Sequence, residues 1–384
     1  MESSFFQVNR VAWILVIVLG SLTGGFARER GPRVEVVCPS SPVAVRMDQR
    51  QVLAYELHVT NFDTVALTLK RLQVFASVES EQPISDLADD KLSAAMVRVG
   101  SGSAANEAKD VRIIEPGARA VVFLWVELAW NDKLPVSLRH RMFFSPGTDE
   151  GSADAILEDF RVPVSQGSAP VLSPPFHGGV WLAGDGPANN TGHRRSIFAI
   201  DGHLYSPERF AIDWIKVGAN GDSHHEGTAR NENWWGYGEP VLAVADGEIT
   251  EVVDGIADNT PRKLPPVTLD SIAGNHIILQ IAPNCYVTYA HLQNGSIKAR
   301  IREKVHRGAV LALLGNSGNS TGAHLHLQVT DGNSVLESQG VPFVFSSFTY
   351  FGPGSDYEID KHVSVPWKNS IPAGDAVVEF GAVK

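Results

Sequence analysis

The residues best suited to chemistry are two histidines near the end of the chain. Polar and apolar residues alternate from position 324 to 329, which predicts a β-strand with His324, His326 and Gln328 on one face. Two imidazoles side by side suit a metal ligand next to a group that transfers protons. A His-x-His pair is also common as plain polar surface on a half-exposed strand, so a chemical role requires further residues.

Three other segments supply residues of the right type. Asp213 interrupts the apolar run 210–214, and a carboxylate there needs an ion pair, a hydrogen bond or a metal to offset its lost hydration. His291 lies near the end of the strand-like segment 286–292, and a glycine-rich turn at 314–322 leads into the histidine pair. The chain therefore offers one carboxylate and three histidines in an ordered series of motifs.

Together these motifs resemble the lysostaphin/LytM-type zinc endopeptidases over roughly residues 192–348. That family has an aspartate ligand after an apolar strand, a Tyr-x-His-Leu strand and a terminal His-x-His strand. The resemblance implies Zn²⁺ as the cofactor, with Asp213 and His326 as ligands. It also implies that His291 and His324 are the catalytic histidines that handle the reacting water and the oxyanion.

The chain departs from the family pattern at Arg209, where the usual first ligand is a histidine four residues before the aspartate. A guanidinium stays protonated and cannot ligate zinc. A predicted hairpin with its turn at Gly202 would bring His193 near Asp213, and the chain resembles a branch of the family whose ligand histidine lies well before an Arg-Phe-Ala-Ile-Asp strand. His193 is therefore the favoured third ligand, His203 the second candidate, and a site without a third ligand the remaining alternative.

Other segments suggest cleft walls or plain structure. The aromatic segment 234–238 and the long loop 255–274 are candidate walls, since aromatic rings and long loops often border binding sites. Four further histidines of this half are predicted to be solvated or structural; they are His224, His225, His276 and His306.

Length, charge and the N-terminus predict an exported protein of two domains. The chain has 384 residues and a formal net charge of −11, and no strongly basic domain offsets that charge, which argues against a nucleic-acid partner. Residues 1–27 read as a signal peptide, with an uncleaved membrane anchor as the alternative, so we expect a periplasmic or secreted location. Cys38 and Cys285 fall in different predicted domains, as an interdomain disulfide or as two free thiols.

The predicted fold class is mainly β. Short alternating strands in residues 28–164 predict an immunoglobulin-like β-sandwich, and the proline-containing stretch 165–176 predicts a linker. Residues 177–352 are predicted to form a LytM-like antiparallel β-sheet catalytic domain. Residues 353–384 are expected to be an irregular C-terminal tail.

The resemblance implies an exported zinc endopeptidase that hydrolyses peptide bonds in peptidoglycan cross-links, with peptidoglycan peptides as its partners. Two other interpretations remain. Arg209 motivates a non-catalytic scaffold that binds and regulates a cell-wall amidase, with the N-terminal domain contacting the amidase or another envelope protein. The sandwich motivates a periplasmic binding module for glycans or peptides.

Overall fold

The computed structural model describes residues 31–77, 79–99, 110–147, 154–225, 227–354 and 364–381. The predicted signal peptide, residues 1–27, lies outside these residues. The described part is mainly β, which confirms the predicted class. None of its helices is long and apolar enough to cross a membrane.

Among the described residues, ten strands and one short helix precede residue 165. They are β1 (Val34–Val37), β2 (Val45–Met47), β3 (Arg50–Asn61), β4 (Leu67–Phe75), β5 (Ser85–Ala88), α1 (Asp89–Ala94), β6 (Met96–Arg98), β7 (Ile113–Ile114), β8 (Arg119–Ala129), β9 (Ser137–Pro146) and β10 (Ala155–Pro163).

Fifteen strands, a four-residue helix and a 3₁₀ turn follow in the described residues. They are β11 (Val171–Leu172), β12 (Gly179–Gly184), α2 (Gly192–Arg195), β13 (Phe198–Ile200), β14 (His203–Tyr205), β15 (Ile212–Lys216), the 3₁₀ turn (Asn231–Asn233), β16 (Pro240–Leu242), β17 (Gly247–Val253), β18 (Asn275–Ala282), β19 (Cys285–Leu292), β20 (Lys304–Val305), β21 (Val310–Leu313), β22 (Leu325–Thr330), β23 (Val344–Pro353), β24 (Val365–Ser370) and β25 (Ala376–Phe380).

The N-terminal strands form two antiparallel sheets that share one core. The first sheet has the order β1-β3-β8-β6 and the second the order β10-β9-β4-β5. Leu57 on β3, Val122 on β8 and Leu72 on β4 are buried in the same apolar cluster, so the two sheets pack face to face. The immunoglobulin-like topology stays a prediction.

Strand β3 is buried on both of its faces. Leu53 and Leu57 point into the sandwich core, whereas Val52 and Ala54 belong to the core of the C-terminal sheet. A strand buried on both sides joins two layers, and residues 32–384 accordingly form one compact unit. The two predicted domains have separate apolar cores but pack directly on each other through β3.

The C-terminal sheet has eleven strands and is almost entirely antiparallel. Its order is β11-β23-β25-β12-β15-β22-β19-β18-β17-β20, with β24 paired to β23. Strands β15, β22 and β19, which carry the predicted site residues, lie side by side in the middle of this order.

Two predicted boundaries are corrected by this sheet. The predicted linker 165–176 contains β11, which pairs in parallel with β23, because its apolar residues Val171 and Leu172 extend the sheet. The predicted irregular tail 353–384 contains β24 and β25, and β25 lies between β23 and β12. The physical reason is the apolar run 376–378. Ala376 and Val378 are buried in the main apolar core, and Val377 is buried in a second, small apolar cluster.

Candidate metal centre

A single row of residues across three neighbouring strands sets the position of the site. Asp213 on β15 pairs with His326 on β22, and His326 pairs with Ala290 on β19. Paired residues point to the same face of a sheet, so the carboxylate and the imidazole lie next to each other. The neighbouring row, Ile212, Leu327 and Tyr289, points into the apolar core and holds the three strands together.

His291 reaches the same face through an unusual backbone conformation. It follows Ala290, so regular alternation would direct it toward the core. Its φ of 62° places it in the left-handed region, which non-glycine residues adopt at a cost in energy. As a result its ring centre lies 4.8 Å from that of His324 and 5.8 Å from that of His326.

His193 arrives from outside the sheet and is held by Asp185. Gly184 at the end of β12 pairs with Asp213, so the next residue, Asp185, stands at the edge of the site. The Asp185 carboxylate accepts hydrogen bonds from the backbone N–H groups of Gly192 (2.7 Å) and His193 (2.9 Å). The Asp185 carbonyl accepts a third from Nδ1 of His193 at 2.9 Å, which leaves Nε2 directed toward Asp213 at 3.5 Å.

These contacts bring together three groups that could hold a metal ion. One ligand atom each from His193, Asp213 and His326 lies within 4.8 Å of the others. Two imidazole nitrogens and one carboxylate oxygen form a donor set that suits a divalent zinc-like cation and leaves room for a fourth ligand. The predicted metal ligands are therefore close together in the fold.

The tautomers of the two histidines fit ligation. His193 donates its Nδ1 proton to a backbone carbonyl, so its Nε2 lone pair faces the site. His326 Nε2 lies 2.9 Å from Oε1 of Gln328, and Gln328 Nε2 donates to the Val335 carbonyl at 2.8 Å, which fixes the orientation of the amide. With Nε2 donating to Gln328, His326 presents Nδ1 to Asp213 at 3.0 Å, and a cation would take the place of the proton there.

His291 and His324 are held in a similar way, with one nitrogen directed to the site. His291 Nδ1 donates to the Ser317 carbonyl at 2.8 Å, and His324 Nδ1 donates to the Gly322 carbonyl at 2.8 Å. His324 Nε2 lies 3.4 Å from Oδ2 of Asp213, the oxygen that does not contact His326. Both imidazoles are therefore oriented to exchange a proton at Nε2.

The electrostatics of the site favour a charged aspartate. Burial raises the pKa of the Asp213 carboxyl, but His324, His193 and the hydrogen bond from His326 outweigh burial and hold it well below its usual range. Burial lowers the pKa of His326, but the hydrogen bond and charge of Asp213 raise it to about 9. Burial, followed by repulsion from His324 and His326, lowers the pKa of His291 well below its usual value, so His291 stays neutral.

Two cavities flank the row of ligands. One, of about 360 Å³, lies beside Asp213 and His324 and is bordered by Trp234 and Arg262. The other, of about 310 Å³, lies beside His193, His291 and Asp185. The aromatic segment 234–238 and the loop 255–274 thus each contribute a wall beside the candidate ligands.

The glycine-rich turn before β22 is close-packed against these walls. A Cβ added at Gly322 would lie 2.5 Å from the Trp234 ring. Gly318 has a φ of 73°, and a Cβ there would lie 2.3 Å from the backbone nitrogen of Gly274. A side chain at either position would collide with its neighbours, so the turn that precedes His324 packs directly on Trp234 and on the loop 255–274.

The other histidines lie away from the ligand group. His203 is exposed at the start of β14. His276 is buried and bonded to Glu251 at 3.0 Å, and His306 is exposed near Asp246. His224 lines the larger cavity next to Trp234.

Arg209 lies in a different environment from a ligand. Its guanidinium is buried and donates to the Glu56 carboxylate at 2.7–3.2 Å and to the Gly340 carbonyl at 2.6 Å.

The two cysteines form no disulfide, and both thiols are free. Cys285 is buried, and Cys38 donates to the Ser40 carbonyl at 3.1 Å.

Three residues make contacts near the site that the sequence did not indicate. Asp185 directly follows a strand between two glycines, a local signal that could have indicated a turn at a sheet edge. Gln328 was placed on the correct face but given no function. Glu56 lies 138 residues before its partner Arg194, and no local pattern links the two.

A known protein family matches one segment of the C-terminal half of the chain. Residues 225–337 match Peptidase family M23, and this segment contains His291, His324 and His326. His193 and Asp213 precede it, so only the geometry joins them to the domain.

Three solved structures are similar to this chain at low identity. They are a mutant catalytic domain of the prophage-encoded M23 protein EnpA from Enterococcus faecalis (20% identity, 45% of this chain and 92% of that chain, TM-score 0.26), the catalytic domain of lysostaphin from Staphylococcus simulans (18%, 42% and 88%, 0.22) and a zinc containing peptidase from Vibrio cholerae (13%, 77% and 82%, 0.20).

Proposed function

Because the chain contains a peptidase family M23 domain, we propose that it is an exported zinc endopeptidase that hydrolyses peptide bonds in peptidoglycan cross-links. The observation that carries the proposal is the convergence of His193, Asp213 and His326, with ligand atoms within 4.8 Å of one another. Family membership supports a peptidase. The cell-wall substrate and the export come from the sequence resemblance and the N-terminal apolar run.

The ligand set supports zinc as the metal. His193, Asp213 and His326 would hold the ion, with Asp185 and Gln328 orienting the two imidazoles. When bound, zinc polarises a carbonyl and lowers the pKa of water to about 7. The charged Asp213 contributes the negative charge that a divalent cation requires in a buried position.

The two remaining histidines supply the proton transfers. His291 stays neutral and directs Nε2 into the site, so it can accept a proton from the attacking water. His324 directs Nε2 to the opposite side of Asp213 and borders the larger cavity, where its doubly protonated form can donate a hydrogen bond to the developing oxyanion. A substrate peptide extended across both cavities would place its scissile bond between them.

The alternative of a non-catalytic scaffold was based on Arg209 at the usual ligand position, and the contacts of Arg209 do not support it. Its side chain is bonded to Glu56, and His193 occupies the vicinity of Asp213 in place of the usual histidine. A scaffold that only binds a partner has no chemical need for four oriented histidine nitrogens beside one carboxylate.

Two measurements on the secreted form test the proposal. Elemental analysis should give one zinc per chain, lost in His193→Ala. Mass spectrometry of digested peptidoglycan should show cleaved cross-link peptides with the wild type and none with His193→Ala. A zinc-loaded wild type that leaves every cross-link intact would refute the peptidase and favour the scaffold.

A further inference from the structure

Two arginines that flank the metal-ligand positions share one buried carboxylate from the N-terminal sandwich. Arg194 follows His193, and Arg209 precedes Asp213 by four residues. Glu56 on β3 accepts hydrogen bonds from Arg209 Nε at 2.9 Å and Nη2 at 2.7 Å, and its Oε1 also contacts Nη1 of Arg194. The side chains of Arg194, Glu56 and Arg209 are 0, 2 and 4% exposed, so water contributes almost nothing to their solvation.

The second terminal nitrogen of Arg194 also bonds to the sandwich. Its Nη2 donates to the Tyr55 carbonyl at 3.0 Å and to the Leu124 carbonyl at 3.3 Å. The next residue, Arg195, donates to the Ala94 carbonyl at 2.8 Å and lies over the Phe123 ring at 4.4 Å. The C-terminal half of α2 is therefore attached to β3, β8 and α1 of the sandwich.

The helix that carries His193 depends on such attachments. A four-residue helix is not stable alone, because nucleation fixes several residues for one hydrogen bond. Asp185 binds its first two N–H groups, and Arg194 and Arg195 bind its other end to the sandwich. His193 itself belongs to the first anchor and directly precedes the second, and its imidazole is bonded to the Asp185 carbonyl.

The attachment of α2 to the sandwich depends on the charges of Glu56, Arg194 and Arg209. Burial raises the pKa of Glu56, but the two guanidinium groups outweigh burial and lower it to about 2, so the carboxylate is charged throughout the neutral range. A buried ion whose partner is removed is strongly unfavourable. Without the Glu56 charge, Arg194 and Arg209 would repel each other, and Arg194 would move with the adjacent His193.

We propose that Glu56 is a positioning residue of the metal centre, through which the N-terminal sandwich holds His193 in place against Asp213. The inference rests on the proposed function only in taking His193 as a metal ligand. It gives the sandwich a role in completing the site of the neighbouring domain.

The test measures zinc affinity of the full chain by competition with a chromophoric chelator. Glu56→Gln keeps the size of the side chain and removes its charge. We expect its zinc dissociation constant to rise at least about tenfold, the usual effect of losing an outer residue that orients a ligand. With Co²⁺ in place of zinc, its visible absorption bands should change in intensity, because they report coordination geometry.

Leu72→Ala is the matched control for general loosening of the sandwich. Leu72 is fully buried in the sandwich core on β4, in the sheet that does not contain Glu56. This variant should lower the thermal midpoint while leaving the zinc dissociation constant and the Co²⁺ spectrum at wild-type values. An equal loss of affinity in Leu72→Ala and Glu56→Gln would overturn the proposal.

Two variants of Arg194 keep the test decisive if Glu56→Gln fails to fold. Arg194→Met leaves Glu56 paired with Arg209 and removes the link to His193, so zinc affinity should fall about tenfold. Arg194→Lys retains a cation for Glu56 and should recover part of that loss. Wild-type affinity in a folded Glu56→Gln or Arg194→Met would refute the positioning role.

The result is separable from the proposed activity. A wild-type protein that binds zinc but cleaves no peptide would refute the peptidase, while weaker binding by Glu56→Gln would still support the positioning role. A His193→Ala variant with wild-type affinity would refute the ligand assignment and this proposal together.

Discussion

Nε2 of His326 lies 2.9 Å from Oε1 of Gln328, two residues further along the same strand. The Gln328 amide is fixed by its own bond to the Val335 carbonyl at 2.8 Å, so it offers His326 an acceptor and no donor. That arrangement keeps a proton on Nε2, so Nδ1, which faces Asp213, is the nitrogen left for a cation. The His-x-Gln pair thus combines one proposed ligand with the group that would orient it.

Replacing Gln328 by methionine should weaken metal binding by roughly 10–100-fold, because His326 loses the acceptor that selects its tautomer. The zinc dissociation constant, measured by chelator competition at pH 7, tests this. Thr288→Val is a matched control. Thr288 on β19 pairs with Gln328 on β22, and its buried hydroxyl has no hydrogen-bond partner among the described residues. Unchanged affinity in Gln328→Met would show that strand geometry alone orients His326.

The two histidines of the His-x-His strand should separate metal binding from turnover. His326→Ala should lose the metal, since it removes a ligand. His324→Ala should keep one zinc per chain but lower kcat by roughly 10²–10³-fold, the usual effect of removing an acid–base group or an oxyanion donor. Elemental analysis and peptide-cleavage kinetics measure the two quantities.

His203→Ala supplies the control for this pair, because His203 is an exposed histidine outside the ligand group. Both its zinc content and its kcat should match the wild type. Zinc retained in His326→Ala, or lost in His203→Ala, would contradict the ligand set.

The sequence was informative where a feature depends on one local pattern of residues. Alternation around His324 and His326 predicted a strand, and the apolar run around Asp213 predicted a carboxylate with a polar or metal partner; they form β22 and β15, which pair with each other. The class of the fold followed from the same short periodic segments. These features depend on neighbours two to four residues apart, which a single sequence displays directly.

Other parts could not be predicted because they depend on distant residues. Glu56 is an ordinary polar position of an alternating strand until β3 packs on the second domain and buries its outer face. Strand β25 has only five residues and no motif, and its place between β23 and β12 is set by the sheet. The left-handed backbone of His291 follows from an irregular pairing of β18 with β19.

Adding one methyl group at Gly322 should disturb the wall of the site. The new Cβ would lie 2.5 Å from the Trp234 ring, so Gly322→Ala should cost about 1–3 kcal/mol of unfolding free energy through overpacking. Trp234→Phe removes the outer ring of the indole, so the double variant should recover most of the loss. Urea unfolding of the four proteins of this cycle measures the coupling.

Gly381→Ala is the control for the glycine cycle, because a Cβ there meets no atom within 4 Å. Its stability should stay within about 0.5 kcal/mol of wild type, as for most surface changes. If Gly322→Ala and Trp234→Phe were simply additive, the two residues would not be in contact, contrary to the structure.

The sandwich should lose stability in mild acid through a buried histidine. His140 accepts a hydrogen bond from Tyr55 at 2.7 Å and donates one to the Phe160 carbonyl at 3.1 Å. Burial lowers its pKa to about 4, although the bond to Phe160 raises it slightly. The unfolded chain takes up this proton near pH 6.5 and the folded chain only near pH 4, so stability is lost as the pH falls through that window.

Between pH 7 and pH 5 this one group should remove on the order of 1–2 kcal/mol of unfolding free energy. His140→Gln should be less stable at pH 7 but should lose less on acidification, because glutamine does not titrate. Urea unfolding at both pH values gives the difference. His306→Gln, at a side chain that is 95% exposed, should retain the wild-type loss. An equal loss in His140→Gln and wild type would mean that His140 is not held neutral by the sandwich core.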